Sequence, residues 1–377
     1  MDIIEKYIEE LMEKSTPDCP IWNIERVRSG KKAGWNYIDG CMIKAIMEMY
    51  SIFKEEKYLS FADAFVDAKV YEDGTIDDYR VDELNLDNIN AGKTLFELYD
   101  ITHKEKYLKA IRLIYSQIEQ MPRTESGNFW HKNIYPNQVW LDGLYMCQPF
   151  YMEYEKRFND GKNCEDIYHQ FANVIEKMRD PRTGLYYHAY DESRKMFWCD
   201  TVTGLSRNFW LRALGWYSMA LLDTIEKAGE DPRAEQMKDA YRDLMASLVR
   251  YQSASGMWYQ VVNLGQMEEN YLETSGSAIL SYALLKGARL GLLTEEYAKA
   301  GEKAFYGICE EYLTKDEAGE LHLGGICLVA GLGGKDHRDG TFSYYMREPV
   351  VSDDAKGVGP FLLAYTEMRR RGEVKLV

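Results

Sequence analysis

The chain is short of positive charge. Its 377 residues hold 46 Lys and Arg against 61 Asp and Glu, a net charge of −15, and no dense Lys/Arg run. A phosphate-binding face needs a local positive surplus, so nucleic acid and long polyanions are excluded as partners, while one small anion in a basic pocket is not. Long apolar runs are also missing, and nothing approaches the ~18 consecutive apolar residues of a membrane span. The N-terminal stretch M-D-I-I-E-K-Y-I-E-E-L-M-E-K lacks the basic start, apolar core and small-residue cleavage site of a secretory signal. No C-x-x-C pair occurs. Seven cysteines are scattered at 19, 41, 147, 164, 199, 309 and 327, an odd number that reads as reduced, mostly buried thiols in a cytoplasmic protein, not as bridges or a zinc site.

Several chemistries are missing in the same way. There is no Walker loop and no G-x-G-x-x-G after a strand. The glycine-rich G-L-G-G-K at 331–335 lacks the Walker spacing and the following Ser/Thr. G-x-S-x-G and H-E-x-x-H are absent, and the His, Asp and Glu residues do not fall at metal-ligand spacings. Nothing in these patterns supports those chemistries. With only 9 Pro and no Pro/Ser-rich linker, a single domain over residues 1–377 is expected.

What the chain has in excess is aromatic residues: 29 Tyr, 13 Phe and 8 Trp. They fill large cores, and Tyr and Trp also suit pockets that stack on sugar rings while offering a polar edge. The dominant pattern is helical and repeats. Amphipathic segments with charged outer faces start near Ile3, Lys57, Lys106, Glu165, Glu235 and Glu295. Between them lie six less charged segments, richer in Gly, Ala and aromatics, at about 37–54, 87–98, 139–158, 208–227, 273–290 and 354–371. Four of the charged segments are followed by a glycine and a short aromatic or His-bearing strand: Gly127-Asn-Phe-Trp-His131, Gly184-Leu-Tyr-Tyr-His188, Gly256-Met-Trp-Tyr-Gln260 and Gly319-Glu-Leu-His322. Each glycine suits a tight turn that needs positive φ. Repetition on the scale of two helices plus loops means stacked helical hairpins. The pattern predicts an all-α (α/α)6 barrel, six poorly charged helices inside six charged ones, with short β-hairpin loops at one rim. A solenoid, the open alternative, would need polar capping repeats.

In such a barrel the loops before the inner helices converge on a central cavity, so carboxylates at those helix starts are the first catalytic candidates. Asp87 opens L-D-N-I-N-A-G-K, where an N-terminal cap and a catalytic role are both open readings. Asp142 in V-W-L-D-G-L-Y-M is surrounded by Trp140, Leu141, Leu144, Tyr145 and Met146. A carboxyl group among apolar side chains keeps its proton to higher pH than one in water, which a general acid requires. His131 and His188 end two of the repeated hairpins, as structural or functional residues. Arg212, on a weakly charged helix, needs a partner, either an internal Asp/Glu or a ligand carboxylate. Helical spacing puts Trp216 on its face, whereas Trp210, in the first turn, can point into the mouth. Lys132 is a second possible cation or a solvated surface lysine.

L-D-N-I-N-A-G-K around Asp87, N-F-W-H-K at 128–132, V-W-L-D-G-L-Y-M at 139–146 and F-W-L-R-A-L-G-W-Y at 209–217 resemble the unsaturated rhamnogalacturonyl hydrolases of glycoside hydrolase family 105. E-T-S-G-S-A at 273–278 and V-G-P-F-L-L-A at 358–364 are also similar to its pattern, and the resemblance runs from about Trp35 to the C-terminus. Leu211, Ala213 and Leu214 depart from the W-G-R-G-N-G-W usual there.

The resemblance implies an (α/α)6 barrel and an exo-acting hydrolase without cofactor. Its substrate class is short pectin fragments ending in a 4,5-unsaturated galacturonyl residue. It also places the principal catalytic aspartate on Asp142 and a second pocket aspartate on Asp87. Tyr37, His131, Met146, His188, Trp210, Arg212 and Trp216 would be substrate-binding, with Lys132 beside them. The implied chemistry is protonation of C4 of the double bond and hydration of C5. Three other readings remain: an unsaturated glucuronyl hydrolase, an ordinary inverting glycosidase using Asp87 and Asp142 together, and a non-enzymatic helical scaffold.

Overall fold

The computed structural model describes residues 3–372 and 374. Of the domain expected over 1–377, residues 1, 2, 373 and 375–377 lie outside the described residues. In chain order the helices are α1 (Ile3–Glu13), the short α2 (Ile24–Ser29), α3 (Tyr37–Phe53), α4 (Glu56–Asp67), α5 (Lys93–Thr102), α6 (Glu105–Gln120) and α7 (Leu141–Phe158). There follow α8 (Cys164–Met178), α9 (Leu211–Ala228), α10 (Glu235–Val249), α11 (Thr274–Arg289), α12 (Glu295–Tyr312), the short α13 (Phe342–Arg347) and α14 (Ala355–Arg371). A 3-10 turn over Leu86–Gly92 leads directly into α5.

Charge pattern sorts these helices into two rings. In α6 the residues Tyr107, Ala110, Ile111, Ile114, Tyr115 and Ile118 are buried and the charged side faces out, the single apolar stripe of a helix packed on one side. In α9 every residue from Leu211 to Leu222 is buried, as a helix enclosed all round must be. The inner ring is α3, α5, α7, α9, α11 and α14, and the outer ring is α1, α4, α6, α8, α10 and α12. Close approach inside is built with small residues: a Cβ on Gly276 of α11 would lie 2.3 Å from Leu211 Cγ. The inner ring closes, because α14 packs on α3 as well as on α11. Closure excludes the open solenoid. The seam is also tied at the surface, where Tyr7 Oη donates to Asp353 Oδ1 at 2.6 Å and Tyr365 Oη to Glu5 Oε1 at 3.0 Å.

The three two-stranded sheets in the described residues are minor. β1 (Gln138–Trp140) pairs antiparallel with β2 (Ala189–Asp191), β3 (Leu313–Lys315) with β4 (Leu321–Leu323), and β5 (Ile326–Cys327) with β6 (Val350–Val351). Gly127, Gly184, Gly256 and Gly319 all have positive φ, as the repeat predicts. Gly74, with φ +90° between the paired residues Val70 and Ile76, is a fifth copy of that turn which the sequence reading passed over. The third inner helix starts two residues later than expected because Val139 and Trp140 are strand. The second is divided between the 3-10 turn and α5. Three of the inner helices are capped by polar side chains at the loop-bearing rim, with Asn36 accepting from Asp39 N, Glu273 from Ser275 N and Gly276 N, and Asp354 from Lys356 N. The seven cysteines are free thiols, Cys19 exposed and Cys309 partly so. No helix among the described residues is long and apolar enough to cross a membrane.

Phe361 on α14 is fully buried and stacks on Phe305 of α12 at 5.2 Å. Phe361→Ala, which leaves a cavity beside the seam, is expected to lower stability by about 3–5 kcal/mol in chemical denaturation.

Candidate active site

The inner helices all begin at the same rim, and there they surround a cavity that encloses about 680 Å³ including its open mouth. Tyr37, Asp87, His131, Lys132, Asp142, Met146, Trp210, Arg212 and Trp216 all line it. His188 alone of the predicted residues does not. It is fully buried behind the wall, with Nε2 3.4 Å from Asp142 Oδ2 and Nδ1 2.8 Å from Tyr345 Oη.

Asp142 owes its position to β1. The strand delivers the chain to the first turn of α7, and its partner β2 follows His188 directly, so Leu141 N donates to His188 O at 3.1 Å. The imidazole is thereby laid against the aspartate. Its two ring nitrogens face different partners, Nδ1 the Tyr345 hydroxyl and Nε2 the Asp142 carboxyl group. Asp142 Oδ2 is buried and has no hydrogen-bond partner. Such an oxygen is costly in a folded protein.

Asp87 is differently placed. Its Oδ2 is 2.6 Å from Lys132 Nζ, and Oδ1 is 3.6 Å from His131 Nε2. Burial opposes its charge, but Lys132 and His131 hold the Asp87 carboxyl below the usual range. Burial likewise opposes the charge on Lys132, and Asp87 outweighs it and raises the ammonium. Two readings are corrected here. Lys132 is not a solvated lysine, since the cross-strand pairing of Asn85 with Lys132 turns it inward to Asp87. Asp87 is not the cap of its turn, because Asn85 Oδ1 accepts from Asp87 N at 3.1 Å and leaves the Asp87 side chain free to pair.

His131 is buried, and burial pushes it down to about 4, so it is neutral at physiological pH. It stacks on Trp140 at 4.6 Å, and Trp140 in turn stacks on Tyr135 at 5.3 Å. The glycine after Asp142 makes room for it, because a Cβ on Gly143 would stand 2.9 Å from His131 Nδ1. Burial, with Glu25 and Asp87 nearby, raises Tyr37 well above the usual range and keeps its hydroxyl protonated.

Arg212 is buried, and its hydrogen bonds within the protein go to backbone and hydroxyl oxygens. Its Nη1 donates to the Cys327 carbonyl and, at 3.1 Å, to Ser275 Oγ. β5 and the first turn of α11 therefore supply oxygens where an internal carboxylate was expected; Glu273 is one step removed, accepting from Ser275 Oγ and from Cys327 N. The guanidinium lies 4.8 Å from the Trp210 ring, while Trp216 stacks on Tyr145 at 5.0 Å. Trp210 precedes the helix, so helical spacing did not reveal that contact. Glu25, Tyr135, Val329, Ala330, Gly331 and Arg338 also line the cavity and were missed, as was Tyr345 behind it. The only local signal was the glycine-rich 331–335 stretch: a Cβ on Gly331 would lie 2.8 Å from Arg338 Nη1, so the loop folds its arginine back over bare backbone.

Residues 4–372 match the model of Glycosyl Hydrolase Family 88. A glycoside hydrolase from family 105 of C. acetobutylicum ATCC 824 has a solved structure that superposes with a TM-score of 0.90 at 42% identity, covering 98% of both chains. Protein Atu3128 of Agrobacterium fabrum is 44% identical over 228 residues, 59% of this chain and 97% of that protein. The unsaturated rhamnogalacturonyl hydrolase YesR of Bacillus subtilis is 27% identical over 285 residues, 73% of this chain and 76% of that one.

Lys132→Met strands the Asp87 carboxylate and is expected to cost roughly 1–3 kcal/mol, part of which Asp87→Asn restores in the double variant. The depressed carboxyl contributes stability above its unfolded value of about 3.9, and that contribution is lost as pH falls through the lower folded value. In Lys132→Met that contribution is absent and burial raises the Asp87 carboxyl instead, so the variant's deficit against the parent protein shrinks as pH falls. Denaturation across an acidic pH series checks both.

Proposed function

The chain belongs to glycosyl hydrolase family 88, and from that premise we propose that this glycoside hydrolase is an unsaturated uronyl hydrolase of the family 105 type. Its preferred substrates are lyase-generated rhamnogalacturonan fragments that carry a 4,5-unsaturated galacturonyl residue at the non-reducing end. The 27% likeness to YesR and the 42% likeness to the C. acetobutylicum family 105 structure support the subtype. The observation that carries the mechanism is the inequality of the two aspartates. Asp142 presents a buried oxygen without a partner, whereas Asp87 is already held by Lys132 at 2.6 Å.

An ordinary glycosidase needs two carboxyl groups free to act. Here one is free, and one suffices for a vinyl ether. The unsaturated uronate has a C4=C5 bond with the ring oxygen on C5. Asp142 gives its proton to C4, and the π electrons form the new C–H bond. The positive charge left at C5 is shared by the ring oxygen. Water then adds to C5 while the Asp142 carboxylate takes its proton, which restores the acid. The product is a hemiketal at C5; its ring opens, and the glycosidic link at C1 is released without direct attack there. His188, held by Tyr345, orients Asp142 as a positioning residue. Asp87 accepts from sugar hydroxyls, and Trp210 and Trp216 cover apolar sugar faces. Lys132 is committed to Asp87, so the guanidiniums of Arg212 and Arg338 are the charges available to the substrate carboxylate.

The test is loss of the ultraviolet absorbance of the conjugated double bond with unsaturated rhamnogalacturonan disaccharide. Asp142→Asn is expected to slow it by a factor of about 10²–10⁴, and the saturated disaccharide should stay intact. Turnover of unsaturated glucuronyl substrates in preference would reassign the substrate within the class. Cleavage of the saturated sugar would overturn the mechanism.

A further inference from the structure

A second cavity, of about 690 Å³ including its opening, lies at the other end of the barrel between the later turns of the inner helices. Its lining is almost wholly charged, and its ions are nearly all paired. Lys44 meets Glu48 and Glu97 at 3.0 and 2.6 Å. Lys227 meets Glu153, and Lys286 meets Asp223 and Glu226, each at 2.8 Å. Lys93, the fourth lysine in the wall, has no carboxylate within ion-pair distance among the described residues.

Its position has a definite cause. Pro149 in α7 has no N–H to give to the carbonyl of Tyr145 four residues earlier. Lys93 Nζ supplies the missing donor at 3.0 Å and sits 3.3 Å from the centre of the Tyr145 ring. Both contacts need only an N–H, so neither requires the nitrogen to be charged. The side chain is partly exposed and reaches the cavity.

We propose that Lys93 is a carbonyl-reactive amine, a second site that condenses reversibly with small uncharged aldehydes entering by this lower mouth. The nitrogen lone pair attacks the carbonyl carbon, forming a C–N bond as the C=O π electrons move to oxygen, which takes a proton. The carbinolamine hydroxyl, protonated from solvent water, then leaves as water while the nitrogen lone pair forms the C=N bond, giving a cationic iminium. Its remaining N–H can still serve the Tyr145 carbonyl. Five carboxylates face four lysines in the wall, and the negative excess disfavours anionic carbonyl compounds, which sets the ligand class. The groups that act on the nitrogen are Cys41 and Lys44 on α3, Cys147 on α7 and Asp223 on α9. Burial dominates them and lowers Lys93 to about 7, so a large fraction is free amine near neutrality. The inference does not depend on the hydrolase reading.

Reductive trapping tests it on the whole protein. Glycolaldehyde with cyanoborohydride at a series of pH values, followed by peptide mapping, should label Lys93 about tenfold or more faster than exposed lysines at neutral pH. The labelling rate should rise with a midpoint near 7. Lys44→Met removes a neighbouring positive charge and should move that midpoint upward. Glyoxylate, which carries a carboxylate, should label Lys93 more slowly than glycolaldehyde. Lys93→Arg keeps a donor for Tyr145 and should abolish the fast phase while the fold is retained. Labelling no faster than at exposed lysines, a midpoint in the ordinary lysine range, or a fast phase mapping elsewhere would overturn the proposal.

Discussion

Enclosure of the inner helices on every side is the constraint from which the rest follows. A helix surrounded by neighbours has no solvent face on which to place charge, so the polar groups of the inner ring collect at its two ends. At the starting end they meet loops that carry aromatic rings, carbonyl oxygens and a few cations. At the other end they meet only each other, as alternating lysines and carboxylates. The two cavities are therefore consequences of one arrangement, and they differ because the chain places long loops at one end only. Between them Tyr145 is shared, stacked on Trp216 of the upper cavity and covered by Lys93 of the lower.

Within the upper cavity, two similar side chains stand in different surroundings. Asp87 faces a cation drawn in by a short backbone pairing, and it stays ionised. Asp142 faces a buried imidazole and aromatic walls, with one oxygen left without a partner. In the proposed mechanism, a barrel with both aspartates paired would leave no free carboxyl group to give a proton. One with both unpaired would hold two desolvated carboxyl groups at a single mouth, each at the cost of several kcal/mol. The Lys132 ammonium is thus part of what leaves Asp142 available.

Much of this was legible in the residues because it is periodic. The six charged and six less charged helices, the glycine turns and the gathering of Asp87, Asp142, Arg212 and the tryptophans at one rim follow from spacing and from where a helix starts, whereas Tyr37 was indicated by the family resemblance. What was not legible is non-local. Tyr345 reaches His188 across 157 positions, and the carbonyl of Cys327 reaches Arg212 across 115; no local pattern encodes such meetings. Lys132 was misjudged for the opposite reason. Its neighbours in sequence are polar, and only the bridge to Asn85 turns it inward. Pro149 was in view within the V-W-L-D-G-L-Y-M-C-Q-P-F stretch, but the donor that answers it lies on a different helix.

The seam has a topological meaning as well. Because α14 closes on α3, and Glu5 of α1 touches Tyr365 of α14, the two ends of the described chain meet on the same side of the barrel. The ring itself has no first or last hairpin; the junction at which the polypeptide is open is one of six structurally comparable gaps. A chain joined across that gap and cut at another surface turn, such as the one at Gly319, would present the same six inner helices in rotated order to the same cavity. Linear order, in this architecture, is a property of the chain and not of the barrel.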